Sequence, residues 1–530
     1  MNISKLQNSN FLLFTGLLLL VIGLPLSLFL TSLAQFFIIG SFFIEGSVSN
    51  KLKKFLSNRT AVFITIIWLL HLIGLAWSTD LNEGIKDLRI KLPLLILPLV
   101  LAGSEPLNKN QFKWILNVFI ASVLIGSLVS MAVYTGIIKR EIQDIRDIFI
   151  FNISHIRFAL FVCLSIFILI KNINSSFREK KFVSLFLQAA LSMWFAFFLV
   201  FIESITGLII VLITGLVHLI IAGYRSSGKW TRIFVLIALI IISLFLGSEI
   251  SSILKEYNVK REYVVDTSVK TKKGNLYTFQ KDEILYENGY PIWDYVCDEE
   301  LRRDWNSLSS IPYDSLDERG QSIRFTLIRF LSSKGLRKDA EGLATLTSEE
   351  IKSVENGIAN VKYQNLSDAR IRLLQIIWEF DQYGRGENPG GHSVTQRFEF
   401  WKAALGIISI HPLIGVGTGD MPDAYREEYE RINSPLDLKY RLRAHNQYLA
   451  IAVGLGLPVV AYFIFVLLYC FFKSAYWKDF LFLSVWIIAT LSMLTEDTLE
   501  TQSGVTFVAL FLCLFLFSQS RQLKSGPINS

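Results

Sequence analysis

Charge is scarce in this chain: 18% of its 530 residues are Asp, Glu, Lys or Arg, while 52% are hydrophobic and the mean hydropathy is +0.44. That balance excludes an ordinary soluble domain of this length, so the apolar residues must face lipid. Cysteine is scarce too. Cys163, Cys470 and Cys513 fall in apolar runs and Cys297 stands alone in a polar stretch, which excludes a disulfide framework. The histidines have no metal-ligand spacing and no Cys-His cluster accompanies them, so neither a cofactor nor a catalytic metal is expected. The glycines of GVGTGD (Gly415, Gly417, Gly419) lack a following Lys-Ser/Thr and a preceding strand, which argues against a nucleotide-binding loop. They read as a tight turn, with Asp420 capping the next helix. The net charge of +7 is partly a bias of membrane insertion, so nucleic acid is not an expected partner.

The apolar residues gather in runs of roughly 17 to 25, long enough to cross a hydrocarbon core of about 30 Å as helices. The runs place helices near residues 11–30, 31–46, 61–77, 88–104, 112–137, 152–171, 182–202, 204–223, 231–249, 446–471, 479–494 and 503–519. The expected fold class is therefore an all-α polytopic membrane protein of about twelve transmembrane helices, with one large, mostly helical segment between helices 9 and 10. The continuous apolar stretch from Phe11 to Ile44 has to be split, around Pro25 to Ser32.

Basic residues test that split, because Lys and Arg in short loops accumulate on the cytoplasmic side. With the N-terminus inside, the inner segments hold Lys5; Lys51, Lys53, Lys54 and Arg59; Lys109 and Lys113; Lys171, Arg178, Lys180 and Lys181; Arg225, Lys229 and Arg232; Lys473 and Lys478; and Arg521 and Lys524. The short outer loops hold fewer: Lys86, Arg89, Lys91, Lys139, Arg140 and Arg146. The last outer loop is acidic, with Glu496, Asp497 and Glu500 read as a solvated rim. Both termini are then cytoplasmic, and the chain divides into an N-terminal membrane region (1–249), an outer segment (250–445) and a C-terminal membrane region (446–530). The start, MNISKLQNSN before an apolar run, has no small-residue cleavage site after it and is expected to remain as the first helix.

In the outer segment, VDTSVKTKKGNLYTFQ has β-branched residues on both sides of a Lys-Gly-Asn turn, the pattern of a hairpin. Short helices follow: SLDERGQSIRFTLIRFLSSKG ending in Gly335, TSEEIKSVENGI with a capping box from Thr347 to Glu350, and LSDARIRLLQIIWEF with Ser367 as its cap. GRGENPGG, residues 384–391, must be a loop. Beyond it, Val394, Phe398, Trp401, Leu405 and Ile408 form one helical stripe over 394–409. A helix this short is expected to lie at the outer membrane surface, ended by His411-Pro412.

The most informative stretch is RFEFWKAALGIISIHPLIGVGTGDMPDAYREEYE, followed by RLRAHNQYLAIAVGLG, from Arg397 to Gly456. An Arg four residues before Trp on a surface helix, an HPLIGVG turn, a Tyr-containing helix and His-Asn opening a membrane helix resemble the O-antigen ligase family. WSTDLNEGIKDLRIKLPLLILPLVL is similar to that family's N-terminal half. The insert from about 255 to 392 is longer than the family pattern. The resemblance implies transfer of a glycan from an undecaprenyl diphosphate carrier, at the outer face of a bacterial inner membrane, to an acceptor such as lipid A-core oligosaccharide. A polymerase of the same family would use a second lipid-linked repeat as acceptor.

The residues themselves suit that chemistry. His445 stands at the start of an apolar helix that Asn446 caps, where the positive helix end and partial desolvation favour a neutral ring able to take a proton from an acceptor hydroxyl. The bland alternative is a capping or interfacial histidine. Arg397, in the first turn of the surface helix, is placed to grip a diphosphate bidentately, the rival role being a membrane anchor. Arg441 and Arg443 share a side with His445 if the segment is extended; in a helix only Arg441 would. A solvated basic loop is the alternative for both. Arg157, deep at the outer end of a helix, needs a partner or an aqueous cavity unless it snorkels. These three are the candidate substrate contacts. His155 beside Arg157 reads as a structural interface residue.

In one respect the sequence departs from the family: where relatives carry an Arg before a small pair in a middle helix, FIESITGLII has Ile205, with Glu203 upstream. Arg157 is one replacement, and a different handling of the donor is the other. A transporter of lipid-linked sugars would need ionisable residues near the bilayer midplane, and these helices carry almost none. A receptor would need a cytoplasmic output domain, which the expected topology lacks.

Overall fold

The computed structural model describes residues 10–142, 145–226, 228–257, 266, 268–279, 285–318, 320–366 and 368–517. Several expectations lie outside the described residues: Lys5, Arg521 and Lys524 of the basic pattern, the helix end at 518–519, Ser367 as a cap, and Val265, Thr267 and Gln280 of the hairpin. The described residues are mostly helical, and their β structure is one short strand pair and isolated bridges.

Among the described residues, six helices are long and apolar enough to cross a membrane: Arg59–Trp77, Lys109–Tyr134, His155–Arg178, Phe182–Phe201, Ile205–Arg225 and Arg232–Lys255. A seventh candidate is the pair Leu28–Ile44 and Val48–Ser57, bent by 107°. Four shorter apolar helices, Phe11–Leu26, Leu457–Phe472, Phe480–Thr495 and Gln502–Phe517, accompany them. At 16 residues a helix is about 24 Å long, a little under the thickness of the hydrocarbon core. The chain is a helical membrane protein.

The long apolar stretch near the N-terminus is interrupted at Ser27. Its extended backbone ends the Phe11–Leu26 helix, and its hydroxyl accepts from the N–H of Leu30 in the first turn of the next. The two helices then run against each other so closely that a Cβ on Gly23 would sit 2.6 Å from the Thr31 nitrogen.

The chain forms two compact units. The first comprises Met1–Arg140, Ile148–Arg225 and Gly386–Ser530; the second, Glu141–Asp147 and Ser226–Arg385. Packing thus divides the chain near 226 and 385, which is a different division from the expected limits of the outer segment at 250 and 445. The reason lies in residues 386–445. The helix Gln396–Ile410 buries Phe400, Ala403, Ala404 and Ile407 in a core shared with Tyr425 and Tyr429 of the helix Met421–Arg431 and with Ala452 and Val453 of the helix Gln447–Leu455. The stripe expected to be its apolar face is divided: Ile408 is buried in this core and Trp401 packs against it, while Leu405 is exposed. Protein packing, and not lipid alone, takes the other side of this helix. Asp420 also departs from expectation. It stands at the start of its helix without capping it, and its carboxylate accepts from the backbone N–H groups of Thr79 and Asp80 at 2.8 Å.

In the second unit, Leu301 and Trp305 of the helix Asp298–Leu308 and Ile323, Leu327 and Leu331 of the helix Ile323–Ser333 make a soluble-type core. Gly335 follows the second helix in a left-handed conformation (φ 71°), and Thr347 and Glu350 form the capping box as read. At the expected hairpin, Gly274 makes a left-handed turn closed by a single bridge between Lys270 and Leu276. The paired strands are instead Tyr286–Glu287 and Tyr290–Pro291. Their turn, Asn288-Gly289, has φ of 51° and 85°, the two positive values that favour Asn-Gly in tight hairpins.

Candidate functional site: an arginine–carboxylate cluster beside His445

The helix Phe480–Thr495 ends at Glu496, and the turn Glu496–Glu500 leads into the helix Gln502–Phe517. The acids of that turn are buried. This overturns their reading as a solvated rim, and the cause is the company they keep. Arg157, only 5% exposed, donates through Nη1 to Glu496 Oε2 at 2.8 Å and through Nη2 to Asp497 Oδ1 at 3.2 Å, while its Nε donates to Thr501 Oγ1 at 3.3 Å. Arg397 donates from Nη2 to the other Glu496 oxygen at 2.9 Å. Arg443 lies 3.4 Å from Asp497 Oδ2 and 3.5 Å from Glu500 Oε2.

Behind them, Lys91 is fully buried between Asp87 and Glu500, with Nζ 2.8 Å from Glu500 Oε2. Gln447 closes this layer: its Nε2 donates to Glu500 and its Oε1 accepts from the Leu499 N–H at 2.7 Å. Burial pushes the Asp497 carboxyl up, but the His445 ring beside it and the charges of Arg443 and Arg157 outweigh this and hold it below the usual carboxylate range. Glu500 is likewise held down, its burial opposed by Lys91 and Arg443.

His445 joins the cluster from the segment before the helix Gln447–Leu455. Asn446 caps that helix, accepting from the Leu449 N–H at 3.1 Å. The Trp401 indole donates to the Ala444 carbonyl at 2.9 Å, and the Ala444 N–H donates to the Tyr425 hydroxyl at 3.3 Å. Between these anchors His445 takes a left-handed backbone (φ 46°), a conformation costing about 1 to 3 kcal/mol away from glycine. The strain turns Nδ1 toward Asp497 Oδ1 at 3.6 Å and Glu496 Oε2 at 3.8 Å. Both lie beyond hydrogen-bond reach, and Nδ1 has no hydrogen-bond partner among the described residues.

Of the residues singled out in the sequence, the structure thus brings together Arg157, Arg397, Arg443 and His445. Arg441 goes elsewhere: its Nε donates to the Leu436 carbonyl at 3.0 Å and its guanidinium lies over Tyr429. Neither fully extended nor helical, the segment 441–445 sends the two arginines apart. Lys91, Asp87, Gln447 and the three acids were missed. The helix bearing Ile205 packs against the Arg157 helix, where Cys163 Sγ lies 3.4 Å from the Gly207 carbonyl.

One imidazole nitrogen and two carboxylate oxygens, from His445, Glu496 and Asp497, lie within 4.8 Å of one another, a grouping of metal-ligand type that spacing did not reveal. The same carboxylates already accept from Arg157 and Arg397. A divalent cation would have to displace guanidinium groups, so the donor set fits an ion-pair cluster better than a metal centre.

A bundle of apolar helices that buries arginines against carboxylates beside a strained histidine defines a membrane protein with a polar, ionised site at helix ends. Residues 345–464 match the family model described as O-Antigen ligase, which supports membership of the O-antigen ligase family and, with it, a membrane function in glycan transfer or polymerisation. The match spans Arg397, Arg441, Arg443 and His445 but not Lys91, Arg157 or the turn Glu496–Glu500. No curated protein matches the chain.

Proposed function

We propose that this chain transfers a glycan from a polyprenyl (undecaprenyl) diphosphate carrier to an acceptor hydroxyl, at the outer face of the bacterial inner membrane with both termini cytoplasmic. Lipid A-core oligosaccharide is the acceptor of a ligase, and a second lipid-linked repeat that of a polymerase. The observation carrying the reading is the grouping of His445, Arg397 and Arg443 on one set of buried carboxylates.

In this reading a proton on Nδ1 faces Asp497 and Glu496, which leaves the Nε2 lone pair to take the acceptor's hydroxyl proton. General-base assistance of this kind is worth about 10²- to 10⁴-fold. The acceptor oxygen bonds to the anomeric carbon as the bond to the diphosphate oxygen breaks. The departing diphosphate gains negative charge, and Arg397 and Arg443 are the groups to meet it. Arg397, 24% exposed, is held by Glu496 alone among the described carboxylates, and Arg443 is 40% exposed with two long contacts, so both have room to turn toward an anion. Arg157, buried and doubly paired, serves in this scheme to hold Glu496 and Asp497 and does not touch substrate.

Purified protein given a lipid diphosphate oligosaccharide and an acceptor, with chelator present and no nucleotide, tests the roles. His445→Ala should abolish turnover while donor binding survives. Arg397→Lys should lower the rate about 30- to 1,000-fold, because a point charge does not reproduce a planar fork at an oxygen gaining charge. Near-native turnover in His445→Ala removes it as the base. Loss of activity to chelator, restored by a divalent cation, replaces the ion-pair reading with a metal. Envelope glycolipids of a deletion strain separate the acceptors: polymer left on its carrier marks a ligase, single-repeat products a polymerase.

A further inference from the structure

Two helices run from the arginine–carboxylate cluster to a second polar place. Pro93–Gly103 begins two residues after Lys91, and Gln502–Phe517 begins two after Glu500. Their far ends, Ser104 and Phe517, line a cavity of about 510 Å³ with Lys54, Ser57, Thr60 and Lys473. Helices of 11 and 16 residues separate the two places by about 16 to 24 Å, half or more of the thickness of a bilayer core. The cavity therefore opens at the membrane face opposite the cluster.

Its chemistry is that of an anion cradle. The helix Arg59–Gly74 starts here, so its positive end adds to the two ammonium groups. Lys473 donates to the Thr60 hydroxyl at 3.0 Å and pairs with no carboxylate among the described residues, whereas Lys54 is paired with the exposed Glu105 at the rim. The decisive group is Ser104. It lines the cavity and is 8% exposed, and its hydroxyl, itself buried, has no hydrogen-bond partner among the described residues, so that a turn of the side chain toward the cavity breaks no bond. A buried hydroxyl left unmatched costs about 1 to 3 kcal/mol, and an acceptor oxygen in the cavity would satisfy it. Two ammonium donors, two further hydroxyls and a helix start suit a phosphate group, and Phe517 gives the cradle an apolar wall.

We propose that this cavity binds a phosphate group, supplied by the headgroup of an anionic membrane phospholipid. The test uses the full chain in nanodiscs of phosphatidylcholine, with and without phosphatidylglycerol, and in phosphatidylcholine with millimolar inorganic phosphate. Phosphatidylglycerol should raise the thermal unfolding midpoint by about 3 °C and inorganic phosphate should not. Lys54→Gln with Lys473→Gln should remove that rise. Ser104→Ala, which breaks no bond in the empty site, should leave the midpoint in phosphatidylcholine unchanged and halve the rise or more. Native mass spectrometry should show one retained phosphatidylglycerol fewer in the double variant. An equal rise with inorganic phosphate, lost in the same variants, would overturn the lipid as the source. A rise that persists undiminished in the double variant and in Ser104→Ala overturns the site.

Discussion

A guanidinium buried at the end of an apolar helix obliges the fold to supply an anion, and Arg157 receives two, from residues 339 and 340 positions away. The sequence shows that demand in the charge of Arg157 and hides its answer, because three acids in a loop between two apolar runs look like any solvated turn. Only tertiary packing reveals that Glu496, Asp497 and Glu500 face inward. Removing one partner of a buried ion pair leaves the other uncompensated, at a cost of about 3 to 5 kcal/mol. Asp497→Asn should therefore lower the unfolding midpoint at neutral pH. It should also flatten the acid limb. The folded Asp497 carboxyl is held below its ordinary value, so its contribution is fully present above the unfolded value of about 3.9 and is lost as pH falls through the folded one. Thermal unfolding from pH 7 to pH 3 measures both; a variant as stable and as acid-sensitive as the parent would remove Asp497 from the cluster's support.

At the level of elements, hydropathy located the apolar helices but not their breaks: the span expected at 446–471 is interrupted at Gly456 between Gln447–Leu455 and Leu457–Phe472, and the one at 88–104 is interrupted between Leu81–Ile90 and Pro93–Gly103. The helix Gln396–Ile410 was readable from its spacing, but the stripe through Leu405 marks only the apolar residues, not which neighbour covers them. His445 was readable as a residue before a capped helix, while its left-handed backbone depends on Trp401 and Tyr425, far off in sequence. The sidedness of the loops still rests on the distribution of lysines and arginines. Cys297 is buried, and burial pushes its thiol up, so it should react slowly with an impermeant reagent wherever it faces. Glu387→Cys in the exposed loop after Gly384 is the sharper probe. In intact spheroplasts it should label at once, and protection until lysis would invert the topology.

On the scale of the whole chain, composition sufficed to show a helical membrane protein with one soluble-type insertion. It did not show that residues 386–445 fold with the membrane helices, because that depends on contacts between Phe400, Tyr425 and Ala452. Every member of the arginine–carboxylate cluster belongs to the first unit, and the second has a core of its own. We expect the second unit to tune acceptor choice rather than to perform chemistry. Replacing residues 258–385 by a flexible linker should change acceptor efficiency and leave binding of the lipid diphosphate within a few-fold. Loss of donor binding in a normally inserted protein would show the division of labour to be wrong.

The order of synthesis makes the long reach of these ion pairs matter. Arg157 and Lys91 enter the membrane early, yet the distant carboxylates that meet them, Glu496 and Glu500, are made 339 and 409 residues after them. At about 5 to 20 residues per second, the first of those intervals lasts roughly 20 to 70 s. Throughout it, a growing chain holds Arg157 without its two acids and Lys91 with Asp87 alone, both dependent on water, lipid phosphate or an insertion factor for further company. The bundle closes only when the turn Glu496–Glu500 arrives, so the final pair of helices acts as the clasp on everything inserted before it.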